Sequence, residues 1–359
     1  MGEDKSRDVL KVNDLKIRFK MPTGDVNAVR GLNFHLGKNE VLALVGESGC
    51  GKSVGVKAVM GILPDNAAID SGEILFDAGN GMTDLLQMKP AIRQRTINGV
   101  KIAMVFQDPM TSLNPVMTIG SQLITACRSH IKMSKNEAYA KSIELLREVG
   151  ITDPERTMGQ YPHQLSGGMR QRVVIAISLS GDPEVLICDE PTTALDVTTQ
   201  ERILMLLRNI QRAKGLSVIF ITHNLGVVAK IADYVGVMYA GKIIESGTVF
   251  DIMFDPRHPY TWGLLSAVPE VSDDKGDLYS IPGTPPNLAK PIVGDAFAPR
   301  NPYALAIDYK MEPPMFKVSH SHYVASWLAD PRAPKMEMPK ELDERIKKMK
   351  QEGIDYVNN

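Results

Sequence analysis

The segment Gly46-Glu-Ser-Gly-Cys-Gly-Lys52-Ser53 fits the pattern G-x-x-x-x-G-K-[ST], and it lies directly after the apolar run Val41–Val45. A stretch compatible with a helix follows, so the segment has the strand–loop–helix context in which this pattern binds phosphates. Glycines let a backbone wrap around a polyphosphate, and the first turn of a helix adds a partial positive charge. We predict a phosphate loop in which Lys52 binds the β- and γ-phosphates and the Ser53 hydroxyl ligates Mg²⁺. Its other residues are Gly46, Glu47, Ser48, Gly49, Cys50 and Gly51.

Two acidic residues end a second apolar run. Val185–Cys188 is followed by Asp189 and Glu190, and a carboxylate at the carboxyl end of a parallel strand would lie beside bound phosphates. We predict that Asp189 holds Mg²⁺, directly or through water, and that Glu190 is the general base for an attacking water. The alternatives are two acids that only cap a strand and a glycine-rich turn without a ligand. The loop by itself is shared by kinases, GTPases, helicases and transporters.

Short apolar runs alternate with helical patterns in the first part of the chain. The runs 41–45, 185–188 and 218–222 are typical of buried strands, and a helical pattern follows each one. This alternation predicts an α/β P-loop NTPase fold with a mostly parallel sheet at its core. Val9–Lys20 and Val26–Leu36, joined by a turn, predict an antiparallel β subdomain beside that sheet.

Composition excludes several classes of protein. Of the 359 residues, 43% are hydrophobic, and 41 basic against 42 acidic side chains leave a net charge of −1. No basic field draws the chain to nucleic acid. No apolar run approaches the roughly 20 residues of a membrane-spanning helix, and the acidic, polar start of the chain lacks a signal-peptide pattern. Three cysteines cannot build a disulfide framework, which indicates a reducing compartment.

Proline usage predicts the domain boundaries. Fourteen of the 23 prolines follow residue 254, so we place the end of a nucleotide-binding domain, 1–250, at this change. Helical periodicity without a strong strand predicts a helical subdomain within it at about 108–180. A small proline-rich C-terminal subdomain would follow at 251–335. The remaining residues, 336–359, would form a charged tail helix, since oppositely charged residues recur there four positions apart. We expect this helix to be solvated.

The segment Leu165-Ser166-Gly167-Gly168-Met169 resembles the LSGGQ signature of ATP-binding-cassette (ABC) ATPases, with methionine in place of the usual glutamine. The resemblance continues along the chain in the family's order of motifs. It identifies Gln107 with the Q-loop, Asp196 in Ala194-Leu195-Asp196 with the D-loop, His223 with the switch histidine, and Phe19 with the aromatic residue that stacks on adenine.

The resemblance implies roles for these residues. The signature would open a helix and bind the γ-phosphate of ATP held by a partner subunit, so that ATP joins two ATPase domains. His223 would hydrogen-bond the γ-phosphate, and Gln107 would reach Mg²⁺ or water. Asn224 stands where the family more often has aspartate. Phe19 could instead be a core residue, and Cys50 could have an unusually acidic thiol because Lys52 and a helix start are near.

Two further stretches resemble one subfamily. Gln107–Pro115 and His258–Pro269, supported by Ile281–Pro286, resemble the D-type ATPase subunits of dipeptide and oligopeptide importers, which are similar to nickel importers. The resemblance implies an ATPase for oligopeptide import that binds ATP and Mg²⁺ at the cytoplasmic face of the cell membrane. Its implied partners are a second, different ABC ATPase, two transmembrane permease subunits and, indirectly, an extracellular or periplasmic peptide-binding protein. The alternatives are a dipeptide or nickel importer, and an ABC ATPase that acts on DNA or ribosomes.

The C-terminal region departs from the subfamily at four positions. Many relatives hold an iron–sulfur cluster there with four cysteines, and an iron–sulfur cluster needs thiolate ligands. The matching positions in this chain are Asp295, Asn301, Asp308 and Ser326. We therefore predict no iron–sulfur cluster, and we expect packing and polar contacts to stabilise this region instead.

Overall fold

The computed structural model describes residues 8–22, 24–79, 81–193, 195–268 and 281–351. Three parts of the sequence predictions lie outside these ranges: Ala194 of the D-loop motif, Pro269, and residues 352–359 of the tail. Within the described ranges, none of the helices combines the length and apolar composition that crossing a bilayer requires.

A four-stranded antiparallel sheet contains the predicted N-terminal strand pair. Its order is β2-β1-β4-β5, and its strands are β1 (Asp8–Phe19), β2 (Val26–Gly37), β4 (Ala67–Asp77) and β5 (Met82–Asp84). Leu10 and Val12, then Leu15 and Ile17, are buried on one face. Pairing shifts register between Val12 and Leu15, and Asp14 there has a φ of 41°. This bulge keeps both halves of the strand facing the core.

An eight-stranded sheet forms the centre of the molecule, in the order β11-β12-β10-β9-β3-β8-β7-β6. Its strands are β3 (Val41–Val45), β6 (Ile102–Val105), β7 (Val185–Asp189), β8 (Ser217–Thr222), β9 (Tyr234–Tyr239), β10 (Lys242–Thr248), β11 (Phe316–Lys317) and β12 (Tyr323–Val324). The five strands from β6 to β9 are parallel, and β10 begins an antiparallel edge. The predicted α/β fold with a mostly parallel core is confirmed.

Helices cover the central sheet. They are α1 (Lys52–Met60), α2 (Pro90–Thr96), α3 (Pro109–Ser112), α4 (Ile119–His130), α5 (Lys135–Glu148), α6 (Pro154–Met158), α7 (Gly167–Ser178), α8 (Val197–Lys214), α9 (Leu225–Ile231), α10 (Val249–Phe254), α11 (Pro259–Ser266) and α12 (Lys340–Gln351). Five of them, α3 to α7, occupy the region where the sequence predicts a helical insertion. Local signals fix their ends: Ser134 and Glu137 form a reciprocal capping box that starts α5.

The C-terminal region shares its hydrophobic core with the central sheet. Val45 of β3 and Tyr239 of β9 belong to the same buried cluster as Tyr260 of α11 and Phe297. Strands β12 and β11 also extend the sheet edge next to β10. The predicted boundary near residue 250 therefore crosses a shared core, because aromatic side chains from both sides fill it.

A buried carboxylate ties this region to the sheet edge. Glu245 of β10 is fully buried and accepts the backbone N–H groups of Arg257 and His258 at 2.6 and 3.1 Å. The His322 ring lies against the same carboxylate, with Nε2 2.8 Å from Oε1. Because one side chain bonds two separate C-terminal segments, it fixes how they pack on β10.

Helix α12 (Lys340–Gln351) lies within the tail predicted at 336–359, and it is not simply solvated. The ion pair between Lys347 and Asp343, 2.5 Å apart, lies on its exposed side as the charge pattern indicates. On the other side, Leu342 and Ile346 are buried in the core cluster of Tyr260 and Phe297. Arg345 donates hydrogen bonds to the carbonyls of residues 265 and 268. Met349 also packs against this cluster on the same face. Charged residues surround these few apolar positions in the sequence, so the charge pattern conceals the contact.

Side-chain oxygens occupy the four positions at which the subfamily resemblance implies cysteines. Asp295, Asn301, Asp308 and Ser326 are all buried. Each accepts a hydrogen bond from a nearby backbone N–H, at 3.0, 2.9, 2.5 and 3.3 Å respectively. These bonds close local turns, which is the usual function of such side chains in loops. They agree with the expectation that polar contacts stabilise this region.

An Asp295→Asn variant is expected to be more stable than the wild type at neutral pH. Burial, with the neighbouring Asp308, raises the pKa of Asp295 to about 6, whereas an unfolded aspartate titrates near 3.9. The native state thus binds the extra proton, and stability falls as the pH rises from about 4 to about 6. Asparagine stays neutral and can still accept from Phe297, so the gain should be on the order of 1–3 kcal/mol. Urea unfolding at acidic and neutral pH measures it.

The exposed Asp65→Asn variant is the matched control and should keep the wild-type pH profile. A loss of stability in Asp295→Asn at neutral pH would show that the carboxylate charge is needed and would contradict the prediction.

Candidate active site

The phosphate loop joins the fully buried strand β3 to the first turn of α1. Gly46 and Gly51 have φ values of 151° and 102°, in the range that favours glycine. A Cβ on Gly46 would lie 2.2 Å from the Met238 carbonyl oxygen, and one on Gly51 would lie 2.6 Å from that of Ala28. Only glycine therefore fits at these two points, and the loop is held against β9 and β2.

Lys52 lies inside the curve of the loop. Its side chain is buried, and Nζ donates to the carbonyls of Gly46 and Glu47 at 2.7 and 2.9 Å. The ammonium group thus stands at the start of α1, where the helix N–H groups also point. Two sources of positive potential converge at this place, as the motif predicts.

Two oxygen ligands for a hard cation meet beside the loop. Ser53 donates a 2.7 Å hydrogen bond from its hydroxyl to Asp189 Oδ1. Asp189 ends β7 and is buried, and burial raises its pKa against the opposing effect of the Ser53 bond. Hydroxyl and carboxylate oxygens are the ligands that Mg²⁺ prefers, so the pair fits this ion.

Glu190 is the centre of a polar cluster at the carboxyl edge of the sheet. Its Oε2 accepts from Thr193 Oγ1 at 2.9 Å and from Gln107 Nε2 at 3.3 Å, and it lies 3.4 Å from His223 Nδ1. Gln107, Glu190 and His223 follow the neighbouring parallel strands β6, β7 and β8. Parallel strands end at one edge, so the sheet brings together the three residues that the sequence predicts to be catalytic.

The backbone of Glu190 has a left-handed conformation. Its φ is 47°, uncommon for a residue other than glycine, and its N–H donates to the Ile221 carbonyl of β8 at 3.0 Å. Such a conformation costs about 1–3 kcal/mol and persists only where the surroundings enforce it. The chain turns sharply after Asp189. The Asp189 carboxylate therefore faces Ser53, whereas the Glu190 carboxylate faces Gln107 and Thr193.

The signature residues begin helix α7. Ser166 caps it by accepting the Met169 N–H at 3.3 Å, and its own side chain is exposed. A Cβ on Gly168 would lie 2.7 Å from Thr199 in α8, so the two helices pack closely there. Leu165 and Met169 contact the core. The exposed helix start has the free N–H groups of an anion site, and Ser166 makes its bond within its own helix.

Asp196 and Asn224 also cap helices. Asp196 accepts the Thr199 N–H at 2.9 Å at the start of α8. Asn224, next to His223, accepts the Gly226 N–H at 2.9 Å at the start of α9. Asparagine thus fixes the backbone after His223 with its amide oxygen, as a carboxylate would.

Phe19 and Cys50 complete the predicted nucleotide-binding residues. Phe19 is the last residue of β1, and it is partly buried against the core of the antiparallel sheet and α1. Cys50 is buried, and burial raises the pKa of its thiol despite the nearby Lys52. The expectation of an acidic thiol is therefore wrong, because desolvation outweighs the attraction of one ammonium group.

Sequence reasoning missed three residues that contact the site. Thr193 donates to Glu190 and lies only three positions after it. This closeness in sequence could have indicated that the Thr193 side chain reaches Glu190. Tyr260 and Arg300 contact Glu47 of the phosphate loop from the C-terminal region. They lie 213 and 253 positions away along the chain, and no local pattern links them to the loop.

Solved structures with the same fold are ABC cassettes. The post-hydrolysis dimer of the ATP-binding cassette MJ0796 bound to ADP and Pi superposes with a TM-score of 0.59 at 25% identity, over 67% of this chain and 98% of the other. CbiO1 of Clostridium perfringens, part of the ABC transporter complex cbiONQ, gives a TM-score of 0.58 at 31% identity, over 69% and 92%.

Family models and relatives cover the chain more fully. The ABC transporter model matches residues 29–193, and the model of the oligopeptide/dipeptide transporter C-terminal region matches residues 244–307. The oligopeptide transport ATP-binding protein OppD of Bacillus subtilis is 52% identical over 95% of this chain and 94% of its own. The dipeptide transport ATP-binding protein DppD of Lactococcus lactis is 52% identical over 94% of both. The chain therefore belongs to the oligopeptide and dipeptide transport ATP-binding proteins of the ABC transporter family.

Proposed function

We propose that this protein hydrolyses ATP to power the import of oligopeptides across the cell membrane. The observation that carries the proposal is the cluster of Glu190, Gln107 and His223 at the ends of adjacent strands, next to the phosphate loop. A carboxylate beside a polyphosphate site can activate water for attack on the γ-phosphate. The family membership supplies the transport context.

ATP binding rests on the loop and on α1. The backbone N–H groups of Gly46–Ser53 and the ammonium group of Lys52 bind the phosphates, and Phe19 stacks on the adenine. Ser53 and Asp189, with the amide oxygen of Gln107, would hold Mg²⁺, which when bound offsets the phosphate charge.

Hydrolysis rests on Glu190. Its carboxylate takes a proton from the attacking water as the oxygen bonds to the γ-phosphorus, and the bond to the ADP oxygen breaks, giving ADP and phosphate. Gln107 and Thr193 orient this carboxylate by their hydrogen bonds, at 3.3 and 2.9 Å. His223 donates to the γ-phosphate, where charge must be stabilised in the transition state.

A second ATPase subunit would complete each nucleotide site. Ser166, Gly167 and Gly168 present an exposed helix start whose N–H groups suit an anion. The Ser166 hydroxyl bonds within its own helix, and the start of α7 is exposed to solvent at Ser166. We propose that the first N–H groups of α7 bind a phosphate held by the loop of another subunit. The dimeric state of the related cassette MJ0796 supports this arrangement. We propose that the partner is a different ATPase chain and that Asp196 lies at the contact.

Exposed apolar side chains support a docking surface for membrane subunits between β6 and α4. Phe106, Met110 and Val116 have 41, 60 and 80% of their surface exposed. Phe106 directly precedes Gln107, and Met110 and Val116 follow it within nine positions. A subunit docked there would therefore sense the nucleotide site through the cluster around Glu190. We propose that two permease subunits bind here and place the chain at the cytoplasmic face of the membrane, with a peptide-binding protein acting outside.

Co-purification tests the proposed docking surface. Coexpressed with its permeases and second ATPase, the wild-type chain should co-purify with both permeases. A Val116→Asp variant should lose them, while a Val293→Asp variant, also a highly exposed valine at 73% exposure, should keep them. Isolation of the wild-type chain free of permeases would overturn the proposal.

Dipeptides are the second candidate substrate, because the relatives include both dipeptide and oligopeptide transport proteins. Nickel and a role outside transport have no comparable observation in their favour. Uptake assays with a dipeptide and with a longer peptide distinguish the two leading substrates.

We also propose that the protein carries no iron–sulfur cluster. Its three cysteines are buried in the cassette, and oxygen side chains that close turns occupy the C-terminal positions. Iron and acid-labile sulfide should be far below one equivalent in anaerobically purified protein. Stoichiometric iron and sulfide would contradict this prediction.

A further inference from the structure

Two C-terminal side chains hold the second residue of the phosphate loop. Arg300 forms a two-pronged ion pair with the Glu47 carboxylate, with Nη1 and Nη2 at 2.6 and 2.9 Å from its oxygens. The Tyr260 hydroxyl accepts the backbone N–H of Glu47 at 2.8 Å. The backbone and the side chain of one loop residue are thus both bound by the C-terminal region.

Arg300 is itself rigidly placed. Only 5% of its side chain is exposed. Besides Glu47, it donates to the carbonyls of Pro282 and Ile281 at 2.8 and 3.3 Å and to the Tyr239 hydroxyl at 3.3 Å. A planar guanidinium with several fixed acceptors loses little further freedom when it binds a carboxylate. Arg300 therefore fixes the position of Glu47 and does not simply follow it.

The base of this contact is a packed aromatic cluster. The rings of Tyr239, Tyr260 and Phe297 lie within 4.8–5.4 Å of one another, centroid to centroid. The Tyr239 hydroxyl accepts from Arg300 and the Tyr260 hydroxyl accepts from the Glu47 N–H, and Phe297 lies three residues before Arg300. Close packing leaves the buried rings little freedom, so the position of the C-terminal region fixes Tyr260 and Arg300 relative to the loop.

Glu47 is an unfavourable charge in a phosphate site unless it is neutralised. It follows Gly46 directly, and its carbonyl accepts a 2.9 Å hydrogen bond from Lys52. An unpaired carboxylate here would repel the phosphates and compete for the ammonium group of Lys52. The ion pair with Arg300 neutralises this charge next to the phosphate site.

We propose that Arg300 is a positioning residue for nucleotide binding, which acts through Glu47. It neutralises the Glu47 carboxylate, and together with Tyr260 it holds the loop backbone in the conformation that binds phosphates. The C-terminal region is by this contact a part of the ATP site. The inference rests on the proposed function in that ATP must bind at the phosphate loop.

A double-mutant cycle on the full chain tests the proposal, with equilibrium binding of MgATP as the readout. Arg300→Gln should weaken binding about tenfold, within the usual range of coupling between sites. The same substitution made in a Glu47→Gln background should change the affinity less than about threefold, because no charge remains to be neutralised. In steady-state kinetics, Arg300→Gln should raise KM for ATP far more than it lowers kcat.

Arg332→Gln is the matched control, since Arg332 is an exposed arginine of the same region paired with Asp330 at 2.7 Å. It should bind MgATP like the wild type. Equal effects of Arg300→Gln in both backgrounds would overturn the proposal, since a purely structural role does not depend on the charge of Glu47. If Arg300→Gln does not fold, Arg300→Met, which also removes the charge and keeps much of the side chain's length, replaces it in the same cycle and the same criterion applies.

A Lys52→Ala variant separates this inference from the proposed function. Loss of MgATP binding in Lys52→Ala, with additive effects at Arg300 and Glu47, would contradict the inference alone. Unchanged binding in Lys52→Ala would contradict the assignment of the loop itself, and the inference with it.

Discussion

A Glu190→Gln variant is expected to bind MgATP with nearly wild-type affinity and to hydrolyse it at least about 100-fold more slowly, since general-base catalysis contributes roughly 10²–10⁴-fold. Glutamine keeps the size of the side chain and an oxygen that can accept from Thr193, whose bond to Glu190 is 2.9 Å. It cannot take a proton from water. Binding and turnover should therefore separate, as measured by nucleotide titration and phosphate release on the same preparation.

The matched control is Glu184→Gln, at the opposite end of β7, where Glu184 pairs with Lys101. It lies at the amino end of β7, at the opposite edge of the sheet from the phosphate loop, and should keep wild-type turnover. Wild-type turnover in Glu190→Gln would refute the role of Glu190 as the base. A parallel loss of MgATP binding would show that the carboxylate acts in binding instead.

Lys52→Ala is expected to weaken MgATP binding by about 100-fold or more. The ammonium group is buried at the start of α1, so its interaction with phosphate is little screened by water, and charge-assisted bonds of this kind are among the stronger ones. Isothermal titration with MgATP measures the loss, and melting temperatures check that the variant is folded.

Lys38→Ala serves as the control, because Lys38 is a surface lysine paired with Asp77 at 3.3 Å. Its affinity should equal that of the wild type. An affinity of Lys52→Ala within about threefold of the wild type would place the nucleotide elsewhere.

The parts of the candidate site are contiguous motifs, so the sequence by itself was enough to propose them. The phosphate loop needs glycines at Gly46 and Gly51 and a lysine at the helix start, and these are neighbours along the chain. Asp189 ends β7 and Glu190 follows it directly. Gln107 and His223 also follow strands, so the rule that parallel strands end at one edge brings them together.

Other features depend on contacts between distant parts of the chain. The pairing of Glu47 with Arg300 spans 253 positions, and either residue alone has the composition of a surface charge. The buried face of α12 consists of Leu342 and Ile346 amid charged neighbours. The upward shift of the Cys50 pKa depends on burial, which no sequence motif indicates. Tertiary packing decides each of these cases, and local pattern does not.

Whether this ATPase powers peptide import can be measured in liposomes as peptide-dependent ATP hydrolysis and peptide uptake. They would contain this chain with the proposed second ATPase and the two proposed permeases, and the proposed peptide-binding protein would be added outside. We expect added oligopeptide and binding protein to raise ATP hydrolysis several-fold and peptide to accumulate inside. Both effects should be lost with Glu190→Gln and kept with Glu184→Gln. Hydrolysis indifferent to peptide, together with no uptake by the wild-type assembly, would contradict the claim that this ATPase powers peptide import.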